Sequence, residues 1–326
     1  MNLLLTNVVY GSSYSHIFLN YHLKSLLDES NLPAIKGKVS VILFTDSETL
    51  PVLQKHPNMM KLLSLCEVDI RDFTWKPNAN KFALRYDLLI NTFRQGAEEA
   101  LRRGDLLSAW TADMIIAKGV LPKLMYKIME DGHDAVLLQP ARAAFEAIMP
   151  DLDKTDEALY PHDLWKLCQL HMHPYLTAAN HWRSPTFTKY PFYMHWNTGT
   201  GFLTRSFSTT PIIMRPIEEM TKVKQVIDIE VPGMFPAPYW ADEFDEFGVI
   251  QIEPTLCYNH ALTSFPPQLS KVQKFAKDRH PHQHEAFKRR LYYPNKFIAN
   301  VSPEVLAESD LTVKNILNES GDGRTW

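Results

Sequence analysis

Residues 106–121 read Leu-Leu-Ser-Ala-Trp-Thr-Ala-Asp-Met-Ile-Ile-Ala-Lys-Gly-Val-Leu. Apolar Leu106 and Leu107 lead to one carboxylate, Asp113. A second apolar run, Met114–Ile116, follows, then Gly119 and a helix predicted from Leu121. Short apolar runs separated by helical stretches confine the chain to an α/β fold with a mainly parallel sheet and helices on its faces. A carboxylate at the end of a buried strand stands on a rigid support at the mouth of such a sheet, where α/β folds place ligands. The same residue type also caps turns, so Asp113 is equally readable as a plain strand-end cap.

The rest of the amino-terminal half repeats the alternation. Leu3–Tyr10 is apolar with β-branched Val8 and Val9, and Gly11-Ser12-Ser13 breaks it, predicting a strand and a loop. Tyr14–Leu27 has helical spacing. Lys38–Phe44 is predicted as a strand ending at Thr45-Asp46. Glu48–Leu63 is predicted as a helix interrupted near Pro57, and Cys66–Ile70 as a short strand. Phe82–Arg103 carries the stripe Leu84, Leu88, Phe93, Ala97 and Leu101, with Gly104 as its αL stop. Leu121–Glu130 is predicted as a helix and Ala135–Leu138 as a strand. After Pro140 the pattern loosens. Pro150–Asn180 is predicted as mostly helical. Thr200–Thr204, Ile212–Met214, Gln225–Ile229 and Gly248–Ile252 are predicted as strands. Beyond about Ser270 the chain turns basic and helical, ending in a polar tail, Asn318–Trp326.

The chain of 326 residues is long enough to bury a core without staples. A net charge of -3 excludes the global basic field of a nucleic-acid binder, so no nucleic-acid partner is expected. Three cysteines, Cys66, Cys168 and Cys257, form no CxxC pair, which fits a reducing compartment. Met1–Tyr10 lacks the basic start and cleavage site of a signal peptide. No run approaches the roughly 18–20 apolar residues that span a bilayer. The expectation is a cytoplasmic protein with no transmembrane segment, peripheral membrane contact remaining open.

Six constellations carry candidate chemistry. Tyr10-Gly11-Ser12-Ser13-Tyr14 follows the first strand, where glycine permits close backbone approach to a phosphate or base. It is neither GxGxxG nor GxxxxGK[ST], so a dinucleotide fingerprint and a P-loop are both unsupported. Thr45-Asp46 at the second strand end can bond a ribose or cap a helix. In Lys81-Phe82-x-x-Arg85-Tyr86-Asp87, Arg85 can reach a diphosphate with its planar fork or pair with a nearby acid. Trp196-Asn197-Thr198-Gly199-Thr200-Gly201 offers an aromatic face for a sugar ring, or is a tight turn. Asp228 after Val226-Ile227, and the Asp242–Glu246 run, supply acids that can act as general base or complete a metal site with Asp113. His280, His282 and His284 alternate and would share a face if extended, as Zn ligands would; His171 and His173 carry a weaker version of the same pattern.

Several of these features, in this order, resemble a bacterial glycosyltransferase-like family of GT-A type. The Asp113 strand is similar to its Asp-x-Asp strand, with Thr111 in place of the first acid. Val9-Tyr10-Gly11-x-x-Tyr14 with Asn31-Leu32-Pro33-Ala34 resembles its amino-terminal signature. Trp196-x-x-Gly199-x-Gly201-Phe202-Leu203-x-Arg205 resembles a later segment, and Val226-Ile227-Asp228 with Asp242–Glu246 its acidic stretches. The resemblance spans about residues 1–260. It implies an α/β, GT-A-like (Rossmann-related) domain over 1–265, divided into a nucleotide-binding half, 1–140, and an acceptor half, 141–265. Residues 266–326 then form a helical extension and tail. The implied reaction moves a sugar from a nucleotide-diphosphate sugar to a hydroxyl acceptor, in polysaccharide or secondary-metabolite biosynthesis. Tyr10, Gly11, Thr45 and Asp46 would meet base and ribose. Asp113 would meet the diphosphate, directly or through Mn2+ or Mg2+, and Arg85 would replace a weakly held metal. Trp196, Asn197, Gly199 and Gly201 would bind the acceptor, and Asp228 or Asp242 would take its proton if the reaction inverts. The alternatives are a metal-dependent hydrolase built on the histidines and a non-catalytic nucleotide or sugar binder.

Overall fold

The structure, a computed structural model, describes residues 2–35, 37–73, 81–176, 182–257 and 261–317, with backbone alone at 81–84. The side chains of Lys81, Phe82 and Leu84, the end of the segment predicted as helical to Asn180, and the tail Asn318–Trp326 lie outside the described residues.

Fifteen strands are described. In the amino-terminal half they are β1 (Leu3–Val9), β2 (Val39–Asp46), β3 (Glu67–Phe73), β4 (Leu106–Thr111), β5 (Met114–Ile116), β6 (Ala135–Leu138) and β7 (Ala141–Ala144). Then come β8 (Phe187–Thr188), β9 (Tyr193–Asn197), β10 (Phe202–Ser206), β11 (Thr210–Met214), β12 (Tyr239–Trp240), β13 (Val249–Glu253), β14 (Leu262–Thr263) and β15 (Leu291–Tyr293). Seven of them form the central sheet in the order β12-β6-β11-β4-β1-β2-β3. Every pairing in it is parallel except those of β11, which runs antiparallel to both its neighbours. This is the α/β class expected from the sequence, a mainly parallel sheet flanked by helices.

All residues of β1 and β2 are buried, as strands covered on both faces must be. The two-residue side-chain period divides β1 cleanly. Leu3, Leu5 and Val9 join the core on one face. Leu4 and Val8 join Phe93, Ala97 and Ala100 of the helix Lys81–Arg103 on the other. Gly96 lets that helix touch the sheet, since a Cβ there would stand 2.6 Å from Thr6 Cγ2. The helix stops at Gly104, whose φ is 69°, with Asp105 N–H donating to Ala100 O at 3.1 Å, a Schellman closure.

Three smaller sheets accompany the central one, a two-stranded β14-β8 pair and two of three strands. In β5-β13-β7, β13 is antiparallel to β5 and parallel to β7; in β15-β10-β9 all pairs are antiparallel. The segment beyond 265 is helical as expected, at Leu269–Lys277, Pro281–Lys288 and Pro303–Leu317, but it also supplies β15 to the sheet holding β10.

Two local expectations are corrected. Gln225–Ile229, read as a strand, is a turn into the short helix Ile227–Glu230. Val226 O accepts from both Ile229 and Glu230 N–H, a helical pattern, because this segment packs between the helix Lys81–Arg103 and β11 and not along a strand edge. The His280–His284 stretch is not extended either. Pro281 starts the helix Pro281–Lys288, so the three histidines share no extended face: the His282 ring stacks on His280 with centroids 5.5 Å apart, while His284 turns to Ala276 O.

Candidate functional site

Parallel register brings the carboxyl ends of β1 and β4 to one edge, with Val8 opposite Thr111. The chain leaves β4 through Ala112-Asp113 and enters β5 at Met114, crossing from the central sheet to the small one. This crossing is pinned. Asp113 O accepts from Ile252 N–H at 2.8 Å. The fully buried His22 ring contacts Met114 O through Nδ1 at 2.6 Å and Asn7 Nδ2 through Nε2 at 3.0 Å. Donation by Nδ1 to the carbonyl leaves Nε2 to accept, so the ring is neutral. Burial drives its pKa down to about 4. The Asn31 side chain donates to Ser25 O and Ala117 O and accepts from Leu121 N–H, tying the first helical segment to the end of β5.

Between the two sheets and the helix Lys81–Arg103 lies a cavity of about 560 Å³, within the usual size range of ligand sites. Register in the small sheet sets its polar wall. Arg142 on β7 lies opposite Gln251 on β13, and Glu253 is two residues further along the same face. Arg142 donates to Glu253 Oε1 at 2.5 Å and reaches the Tyr193 hydroxyl at 3.4 Å. Arg85 enters from the helix, its guanidinium 4.7 Å from the Tyr86 ring. Asp228 enters from the short helix, its Oδ2 accepting from the Ser208 hydroxyl at 3.0 Å. Arg85, Arg142, Ser208, Asp228, Gln251 and Glu253 all line this one cavity.

The structure places the other sequence-predicted residues as follows. Asp113 is buried at 4% exposure and stands behind the wall: its Oδ2 accepts from Gln251 Nε2 at 3.0 Å, and it is Gln251 that faces the cavity. Asp113 Oδ1 has no partner in hydrogen-bonding geometry, although the Thr111 hydroxyl is near. Burial foremost, and then the Glu253 charge, push the Asp113 pKa above the ordinary aspartate value. Burial likewise raises Asp228, with Ser208 opposing. Tyr10 is raised by burial, Arg85 pulling the other way.

Tyr10, Gly11, Thr45 and Asp46 do gather, at the tips of β1 and β2, but none lines the cavity. Their groups are largely engaged with each other's loops. Gly11 N–H donates to Thr49 Oγ1 at 2.9 Å, and Asp46 Oδ1 accepts from Thr49 N–H at 2.8 Å. Tyr10 packs against Tyr14 and Phe73. The predicted acceptor loop lies elsewhere. Trp196 is buried in the core with Met194, Leu203 and Phe287. Asn197 Oδ1 accepts from Gly199 N–H at 2.7 Å, closing a turn in which Gly199 has φ 86°. Gly201 abuts the Tyr293 carbonyl, where a Cβ would stand at 2.0 Å. Asp242 is held by the Arg289 guanidinium, away from Asp228. Among the polar residues of this wall, sequence reasoning missed Arg142, Ser208, Gln251 and Glu253. Glu253 carried the same signal as Asp113, a carboxylate closing an apolar run. Arg142, in Ala-Arg-Ala-Ala, carried none.

The histidines do not assemble. His282 Nε2 meets Ile229 O at 2.7 Å, His284 Nε2 meets Ala276 O at 2.9 Å, and His171 pairs with Asp151 at 2.7 Å. Among the described residues no three His, Cys, Asp or Glu side chains gather as a metal site. At Asp113, Oδ2 is held by Gln251 and the neighbouring Glu253 by Arg142, while Asp113 Oδ1 has no hydrogen-bond partner. Among the described residues no helix is long and apolar enough to cross a membrane.

No protein-family model matches the sequence, and no curated protein sequence matches it. Solved structures with some likeness include the apo form of mouse xyloside xylosyltransferase 1. It is 12% identical, with a TM-score of 0.28, over 48% of this chain and 60% of that one. S. aureus TarS is also 12% identical, with a TM-score of 0.29, over 54% of this chain and 40% of that one. The chain thus spans less than two thirds of either. Likeness of this size carries no inference about activity, which rests on the cavity.

Proposed function

We propose that this chain is a glycosyltransferase that moves a sugar from a nucleotide-diphosphate sugar to a hydroxyl acceptor. One observation carries the reading: two guanidiniums and two carboxylates converge on one cavity of about 560 Å³ at the carboxyl ends of β1 and β4. Such an end is where open α/β sheets take ligands. Arg85 and Arg142 offer planar forks for a diphosphate. As the bond between the sugar's anomeric carbon and the diphosphate breaks, its electron pair leaves with the phosphate oxygen. Fixed cations near that oxygen stabilise the growing charge. No step is routed through a metal.

The acceptor oxygen forms the new bond to the anomeric carbon and loses its proton to Asp228 if configuration inverts. Burial makes Asp228 more basic than an exposed aspartate. The Ser208 hydroxyl holds the carboxylate in place. If configuration is retained, no dedicated base is required. Asp113 acts one step back, fixing the Gln251 amide. The three unpaired cysteines support a reducing, cytoplasmic setting.

The test is a thermal-shift screen against nucleoside diphosphates, with and without Mn2+. A ligand selective for the folded state raises Tm by mass action. One nucleoside diphosphate is expected to do so without added metal. Asp228→Asn is expected to keep that shift and to lower transfer by about 10²–10⁴-fold. Absence of any nucleoside-diphosphate shift would reject the reading. Binding without turnover of any sugar nucleotide would leave a non-catalytic binder.

A further inference from the structure

The cavity does not stop at the strand tips. Thr6 and Val8 of β1 and Ala109 of β4 line it, and the register pairs Thr6 directly with Ala109. Thr6 lies three residues inside Val9, the last of β1, or roughly 10 Å below the tip at about 3.3 Å per residue. Facing these, the helix Lys81–Arg103 contributes Leu89, Thr92 and Phe93. The recess closes where Gly96 brings helix against sheet at Thr6. One to two turns earlier, at Leu89–Phe93, helix and sheet enclose open space.

None of these six residues is charged. The Thr92 hydroxyl is engaged inside its own helix, donating to Leu88 O at 2.9 Å. A phosphate, ribose or free sugar placed here would lose its several hydrogen bonds to water and meet only two side-chain hydroxyls, of Thr6 and the already engaged Thr92, in return. An apolar group would be gained by burial. Asp228 borders the same cavity, on a helix packed against Lys81–Arg103. We propose that the recess holds the apolar body of the acceptor, so that the acceptor is an apolar alcohol whose hydroxyl meets Asp228. The word acceptor rests on the glycosyl-transfer reading; the apolar subsite does not.

The test titrates the full chain with n-alkanols from butanol to decanol, without nucleotide, by calorimetry. Affinity is expected to rise about three- to fourfold per methylene until the recess is filled. Ala109→Leu fills the recess from the sheet and Leu89→Phe from the helix. Each folded variant is expected to weaken octanol at least about tenfold while leaving the nucleoside-diphosphate shift unchanged. Affinity flat across the series, or octanol binding unchanged in both variants, overturns the subsite. Alkanol binding without any nucleoside-diphosphate shift keeps the subsite and rejects the transfer reading. The converse result rejects the subsite alone.

Discussion

Two neighbouring regions of this molecule look alike in sequence and differ in what they can do. The tips of β1 and β2 hold Tyr10, Gly11, Thr45 and Asp46, a polar cluster after apolar strands. A short distance away, the wall made by β7, β13 and the short helix holds Arg142, Gln251, Glu253 and Asp228. In the first region Gly11 N–H and Asp46 Oδ1 both bond Thr49, so the cluster stabilises its own loop. In the second, charges of both signs line one open volume. Both groups bond internally, Arg142 to Glu253 and Ser208 to Asp228 in the second; the difference is that the second group also borders an open volume and the first does not. Burial raises the pKa of Asp228, which makes its carboxylate a stronger base than an exposed one. The pair Arg142–Glu253 is buried but compensated.

The largest effect that separates the regions is expected at Arg142. Arg142→Ala leaves Glu253 as a buried charge without its cation, since their side chains are 14% and 6% exposed. The expected cost is about 3–5 kcal/mol in chemical denaturation, together with loss of the nucleoside-diphosphate shift. A loss under about 1 kcal/mol would show that the wall is solvated and that the two regions do not differ in this way.

Next comes Gly11→Ala. The glycine has φ 69° with open space around its missing Cβ, so only the backbone conformation resists. The expected cost is about 1–2 kcal/mol, with nucleoside-diphosphate affinity unchanged. A marked loss of affinity would move the ligand site to the β1–β2 tips and reverse the comparison.

The smallest effect is a slope with pH at Asp113. Its folded pKa lies above the unfolded value, so the folded state binds the proton more tightly. Stability from this group is fully present below the unfolded pKa, near 3.9, and is lost as pH rises through the folded one. Denaturation of wild type and Asp113→Asn should therefore diverge in favour of the variant as pH rises from about 4 to 8. Parallel curves would place Asp113 in solvent and make it a cavity residue.

The amino-acid sequence by itself determined the layered α/β class and pointed to the strand-end edge where the cavity lies. Apolar runs such as Leu3–Val9 and Leu106–Leu107 are short and bounded by turn residues, as buried strands are, and Phe82–Arg103 carries a helical stripe that covers them. These are local patterns, written in periods of two and 3.6. Asp228 was also legible, as an acid after an apolar pair, though it sits on a helix and not a strand. Only the tertiary structure decided which polar residues meet. Arg142 and Glu253 are 111 positions apart and become neighbours because β7 pairs with β13. Trp196 looked like a sugar platform and is core, because its strand β9 lies under the carboxyl-terminal helices. The three alternate histidines lost a common face once Pro281 began a helix, His282 stacking on His280 and His284 turning to Ala276 O. Periodicity is a property of neighbours along the chain, whereas a site needs charges brought together across it, and strand register supplies that.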